Sequence, residues 1–189
     1  KATLAQAFAL AVGNDRIHIA PGHSETISAA GGITLATTAG VTVLGYGNGN
    51  RRPLFTWAAT AATFAVSAAD LAISNVRCTC SVDEVVSLWN LTGSGLTLDR
   101  VDYVETAAMT PIQFATASAA ATDFALQNCR HNQMTASASN SQWVEFIGAR
   151  SYIVNNAISL TQTSNSASKV LSNGTAAADI HVWGNRIFQ

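Results

Sequence analysis

Charge is scarce in this sequence. Of 189 residues, 10 are Lys or Arg and 11 are Asp or Glu, less than half the usual share of about 25%. The formal net charge is −1, which excludes a basic nucleic-acid binder and an acidic tail protein. Cysteines are few and odd in number: Cys78, Cys80 and Cys129. They form no zinc quartet and no disulfide framework, and at least one thiol lacks an intrachain partner. No uninterrupted apolar run reaches the roughly 18 residues of a membrane-spanning helix. There is no H-E-x-x-H, no C-x-x-C and no phosphate-binding glycine loop, so no cofactor or metal is expected. The termini show neither an initiator Met nor a signal peptide. Lys1-Ala2-Thr3 and Ile187-Phe188-Gln189 therefore lead us to expect a longer natural chain.

Small apolar residues are what the sequence has in quantity. Hydrophobic residues make up 48%, and 34 residues are alanine. With so little charge, much of the surface is expected to touch protein rather than water. The length, residues 1–189, suits a single domain.

A short pattern recurs: a turn residue, then apolar–x–apolar–x, then Asn or Gly. It reads Gly40-Val41-Thr42-Val43-Leu44-Gly45, and returns from Asp70, Gly95, Asp123, Ser151 and Asp179. The first apolar residues fall at 41, 71, 96, 124, 152 and 180, spaced by 30, 25, 28, 28 and 28. Arg16-Ile17-His18-Ile19-Ala20 is an earlier relative. Alternation with period two makes each copy a strand with one buried face. The expected inward pairs are Val41/Val43, Leu71/Ile73, Leu96/Leu98, Phe124/Leu126, Tyr152/Val154 and Ile180/Val182. A second apolar stretch precedes most copies, so each repeat holds at least two strands and no helix. Such repeats stack as a parallel β-helix. The expected fold is all-β, with about seven rungs of about 28 residues over 16–189 and a length of roughly 30 Å. Residues 2–12 place Leu4, Phe8, Ala11 and Val12 on one helical face, with Thr3 as N-cap and Gly13 as stop. This predicts a short helix capping the first rung.

The repeat assigns structural roles to residues that would otherwise suggest chemistry. Asp70, Asp123 and Asp179 share the slot before the first inward residue, where a turn is expected. Asn75, Asn128 and Asn156 share the slot after the strand, with Gly45, Gly184 and Arg100, and tolerate a left-handed backbone. Two residues further on lie Arg77, Asp102, Arg130 and Arg186, a predicted charge ladder with Asp102 between two arginines. Its alternative role is an anion-binding stripe. The acids Asp83, Glu84, Asp99, Asp102 and Glu105 are the best case for an enzyme, a polysaccharide glycosidase, which needs two close carboxyl groups, or a lyase. Asp99 and Asp102 are the candidate pair. His18, His23, His131 and His181 are scattered. Leu44, Ile153 and Trp183 fall on outward positions and are candidate protein contacts. Trp89, Trp143 and Trp183 are the residues on which a sugar could stack.

Gly13-Asn14-Asp15-Arg16-Ile17-His18-Ile19-Ala20-Pro21-Gly22-His23, after a helix, resembles the start of pectate-lyase-like right-handed β-helices. There a capping helix leads into a "G-D-x-I-x-V-x-P-G" strand and corner; here Asn14 is an insertion. A narrower resemblance is to β-helix proteins of tailed bacteriophages and prophages. It rests on Ala20-Pro21-Gly22-His23-Ser24-Glu25-Thr26, Val43-Leu44-Gly45-Tyr46-Gly47 and Arg51-Arg52-Pro53. The resemblance implies a right-handed parallel β-helix on the virion: a non-enzymatic capsid decoration protein or head spike. It would associate with itself, as a trimer, and with virion proteins such as the major capsid protein, without nucleic acid or membrane. The alternative it implies is a tail fibre or tailspike that binds or depolymerises bacterial surface polysaccharide.

Overall fold

The computed structural model describes residues 2–106, 109–135, 142–161, 169–173 and 179–188; Lys1 and Gln189 lie outside them. The chain winds as a parallel β-solenoid of about six turns. Turn 1 holds β1 (Arg16–Ile19), β2 (Ser24–Ile27) and β3 (Ile33–Leu35). Turn 2 holds β4 (Thr42–Gly45), β5 (Leu54–Trp57) and β6 (Phe64–Val66). In turn 3, β7 (Ala72–Cys80) runs around a corner and serves two faces, followed by β8 (Trp89–Leu91). Turn 4 repeats this with β9 (Thr97–Val104) and β10 (Gln113–Ala117). Turn 5 is β11 (Ala125–Gln127), β12 (Arg130–Asn132) and β13 (Gln142–Phe146). Turn 6 is β14 (Ser151–Val154), β15 (Ala157–Ser159) and β16 (Lys169–Asn173), and β17 (Ile180–Trp183) and β18 (Arg186–Phe188) begin another.

Every strand pairing is parallel and joins equivalent strands of adjacent turns. This builds three faces. Sheet 1 is β1-β4-β7-β9-β11-β14-β17, sheet 2 contains β2, β5, the second halves of β7 and β9, β12, β15 and β18, and sheet 3 is β3-β6-β8-β10-β13-β16. Backbone groups of the inner strands are satisfied by the strands above and below, so the interior can be largely apolar. Val41, Val43, Leu71, Ile73, Leu96, Leu98, Phe124 and Leu126 are all buried, as the alternation predicts. Sheet 3 adds the aromatic side: Phe64 stacks on Trp89 at 4.5 Å, and Phe114 stacks on Trp143 at 5.8 Å.

The capping helix is shorter than expected. It spans Leu4–Phe8 rather than 2–12. Thr3 caps it, its Oγ1 accepting from the Gln6 N–H at 3.2 Å, and Leu4 and Phe8 are buried against the first turn. Tight three-residue bonds, Leu10 to Ala7 and Ala11 to Phe8, then end the helix before Gly13. Val12 is exposed rather than on the buried face.

The fifth copy of the repeat, in turn 6, is shifted by one residue from the expected frame. Ala125 pairs with Tyr152 and Leu126 with Ile153. Tyr152 and Val154 therefore point outward, while Ser151 and Ile153 are buried. The turn slot belongs to Arg150, at φ +55°, not to Ser151. Ile180 and Val182 keep inward register with Ser151 and Ile153, but on the last strands Ile180 is half-buried and Val182 exposed.

Candidate functional site

Two stacked corners and one side groove carry the candidate polar residues of the repeat. The first corner leads into sheet 1. Gly40, Asp70, Gly95, Asp123, Arg150 and Asp179 all sit there with φ between +55° and +75°. Their N–H groups bond across turns: Gly40 to the Ala69 carbonyl, Asp70 to Ser94, Gly95 to Thr122 and Asp123 to Ala149. Asp70, Asp123 and Asp179 thus hold left-handed backbone positions at this corner. A left-handed residue must be Gly, Asn or Asp for the least strain; Arg150 is the exception. Its guanidinium takes Asp123 in a two-bond grip, Nε at 2.6 Å and Nη2 at 2.7 Å. Arg150 thereby holds the Asp123 carboxyl below the usual carboxylate range.

The second corner joins sheets 1 and 2. Asn75, Arg100, Asn128, Asn155 and Gly184 carry positive φ there. Asn156, expected in this slot, lies one place further in and is buried. It forms an internal amide ladder: its Oδ1 accepts from the Cys129 N–H at 2.8 Å, and its Nδ2 donates to the Leu126 carbonyl and to Asn185 Oδ1. Asn185 repeats the bond to the Ile153 carbonyl at 2.8 Å. Gly45 is level with Asn75 but has an ordinary φ. A Cβ there would lie 2.4 Å from the Asn75 carbonyl oxygen, so close packing, not handedness, requires glycine.

The side groove opens beside this corner, with a volume of about 530 Å³ and Asn48, Arg52, Asn75, Arg100, Asp102 and Arg130 in its wall. The register confirms the expected neighbours: Arg77 pairs with Asp102, and Asp102 with Arg130. The ion pair itself is one that the repeat does not reveal. Arg52, on the loop after β4, bridges to Asp102 two turns away, and its Nη1 donates to the Arg100 carbonyl at 3.3 Å. Asp99 accepts from Arg100 Nε at 2.9 Å and from Asn128 Nδ2 at 2.7 Å. Both candidate catalytic carboxylates are thus engaged by guanidinium groups. Of the other acids, Asp83 accepts from the Thr110 N–H and hydroxyl, each at 3.0 Å. Glu105 accepts from the N–H groups of Met134 and Thr135. These two organise the backbone. Among the described residues, no three His, Cys, Asp or Glu side chains converge as a metal site.

The aromatic candidates separate by depth. Trp89 and Trp143 are fully buried and cannot stack on a sugar. Trp183 is 52% exposed on β17. Leu44 is half-buried. Ile153 is 1% exposed, so it belongs to the core and not to a lateral contact, a consequence of the shifted frame. His18 stacks on Tyr46 at 5.4 Å and His181 on Tyr152 at 5.1 Å. His23 meets Glu25 at 3.2 Å. His131 is buried between Tyr103, stacked at 4.6 Å, and the edge of Phe114. Cys78, Cys80 and Cys129 are free and buried. Burial pushes the thiols up, that of Cys80 to about 12, which suppresses the reactive thiolate.

Compared with protein-family models, curated proteins and solved structures, the chain has no significant match. The solenoid architecture therefore rests on the pairing register alone.

Proposed function

We propose that the protein is a non-enzymatic structural component of a bacteriophage virion, a capsid decoration protein or head spike. The observation that carries the non-enzymatic part is the engagement of Asp99 and Asp102 by Arg100 and Arg52. A glycosidase needs one carboxyl group free to give a proton and a second free to attack or activate water. Here both carboxylates accept from arginine side chains. The virion part is supported by the similarity of Ala20–Thr26 and Arg51-Arg52-Pro53 to phage β-helix proteins. The fold suits that role, since each turn is hydrogen-bonded to its neighbours along the whole rod. The test is recovery with density-purified particles of the phage that encodes it. The protein is expected to remain with the particles through a high-salt wash. Its absence from them overturns the reading.

A further inference from the structure

Two vertical columns of charge flank sheet 1, and they follow the same rhythm. The corner before sheet 1 carries, on turns 3 to 7, Asp70, Gly95, Asp123, Arg150 and Asp179. The first outward position of sheet 2 carries, on the same turns, Arg77, Asp102, Arg130, Ala157 and Arg186. Acid therefore stands on turns 3, 5 and 7 of one edge, and arginine on turns 3, 5 and 7 of the other. This uses three of the eleven acidic residues and three of the ten basic ones. Sheet 1 lies between them. Its outward side chains on turns 2 to 5 are nearly neutral: Thr42 and Leu44, Ala72 and Ser74, Thr97 and Asp99, Ala125 and Gln127.

We propose that these columns are the two halves of a self-association surface. A second copy of this chain lies alongside, parallel and at the same height, its arginine column against the aspartate column of the first. At zero offset the three Asp levels meet the three Arg levels. Asp102 then faces Gly95, and Arg150 faces Ala157, so neither odd residue meets a like charge. An offset of one turn, about 4.8 Å, is penalised in either direction. One direction sets Asp70 against Asp102 and Arg150 against Arg186. The other sets Asp123 against Asp102 and Arg150 against Arg130. Like charges directly opposed oppose pairing, so the pattern selects one register. Copies related with no rise along the rod, by rotation about an axis parallel to it, close into a ring and do not grow into a fibre. Asp70, Asp179, Arg130 and Arg186 are exposed and Arg77 is half-buried, its Nη1 donating to the Asn50 carbonyl at 3.4 Å; Asp123 is 44% exposed despite its bond to Arg150. This inference stands independently of the virion reading.

Charge reversal tests it. One variant carries Asp70→Arg, Asp123→Arg and Asp179→Arg. A second carries Arg77→Asp, Arg130→Asp and Arg186→Asp. A third carries all six. Each column already tolerates the incoming residue, since Arg150 occupies one and Asp102 the other. By sedimentation, the unaltered protein is expected to be oligomeric. Each single-column variant should dissociate, with the association constant lowered about tenfold or more. The six-fold variant should reassemble, because its complementarity is restored with the sides exchanged. A monomeric unaltered protein, or four proteins of the same mass, overturns the proposal, as does a six-fold variant that folds and stays monomeric. Should a variant fail to fold, salt decides. Association of the unaltered protein should weaken between ~0.01 M and ~1 M salt, as the screening length falls from about 30 to about 3 Å. Insensitivity to salt overturns the charge pairing.

Discussion

His131 shows what burial does to a single titratable side chain in this solenoid. It lies in one interior column with Phe55, Cys78, Tyr103 and Ile158. Removal from water pushes its imidazole down to about 4 from an ordinary 6.5, although Gln133 and Glu105 favour the proton. The folded state thus prefers the neutral ring. Above pH 6.5 that preference costs nothing. As pH falls from 6.5 to about 4, the unfolded chain takes up the proton first and native stability is lost. The loss attributable to His131 reaches about 3 kcal/mol at the bottom of that window. His131→Leu should flatten the pH dependence of denaturant midpoints across it. Equal slopes in both proteins would contradict the assignment. Gly45 makes a steric prediction at the same scale. Gly45→Ala drives a methyl group into the Asn75 carbonyl and Pro53, and should cost about 1–3 kcal/mol in urea unfolding. An unchanged midpoint would show that the corner yields.

At the level of elements, the repeat was legible in the sequence wherever apolar and small residues alternated cleanly. Turns 2 to 5 read in the right frame because Val41/Val43, Leu71/Ile73, Leu96/Leu98 and Phe124/Leu126 leave no choice of face. Turn 6 did not. Tyr152-Ile153-Val154 offers two frames, and the polar Ser151 at a buried place favoured the wrong one. Arg150 in a left-handed corner hid the slot that Asp or Gly marks elsewhere. The same shift misplaced Ile153 as a surface contact and Asn156 as a corner residue. The charge ladder was half legible: register gave Arg77, Asp102 and Arg130 as neighbours, but Arg52 comes from an irregular loop that the repeat does not index. The facing of Trp89 and Trp143 depends on the third strand of each turn, which the pattern marks only weakly. Helix α1 (Leu4–Phe8) was recognisable from Thr3, Leu4 and Phe8, but not the three-residue bonds at Leu10 and Ala11 that end it early. Phe8 is 2% exposed. Phe8→Ala should therefore cost about 3–5 kcal/mol and open the first turn to hydrogen exchange before the middle turns. Uniform protection along the rod would show that the helix is not the end cap.

For the whole molecule, what stands out is low charge and a surface that repeats with the turns of the solenoid. The chain carries few ionisable groups, and four of its acids are engaged within the fold: Asp83 and Glu105 accept from backbone N–H groups, and Asp99 and Asp102 from arginines. What remains patterned and accessible is the pair of columns beside sheet 1. Under the proposed self-association, that pair of columns would be the contact between neighbouring copies. The measurement that tests the proposed virion role most directly is the copy number of the protein in purified particles, by quantitative mass spectrometry against the major capsid protein. A number comparable to that of the capsid protein is the predicted result. A handful of copies per particle would contradict decoration and point to the tail, and none would contradict the virion role altogether.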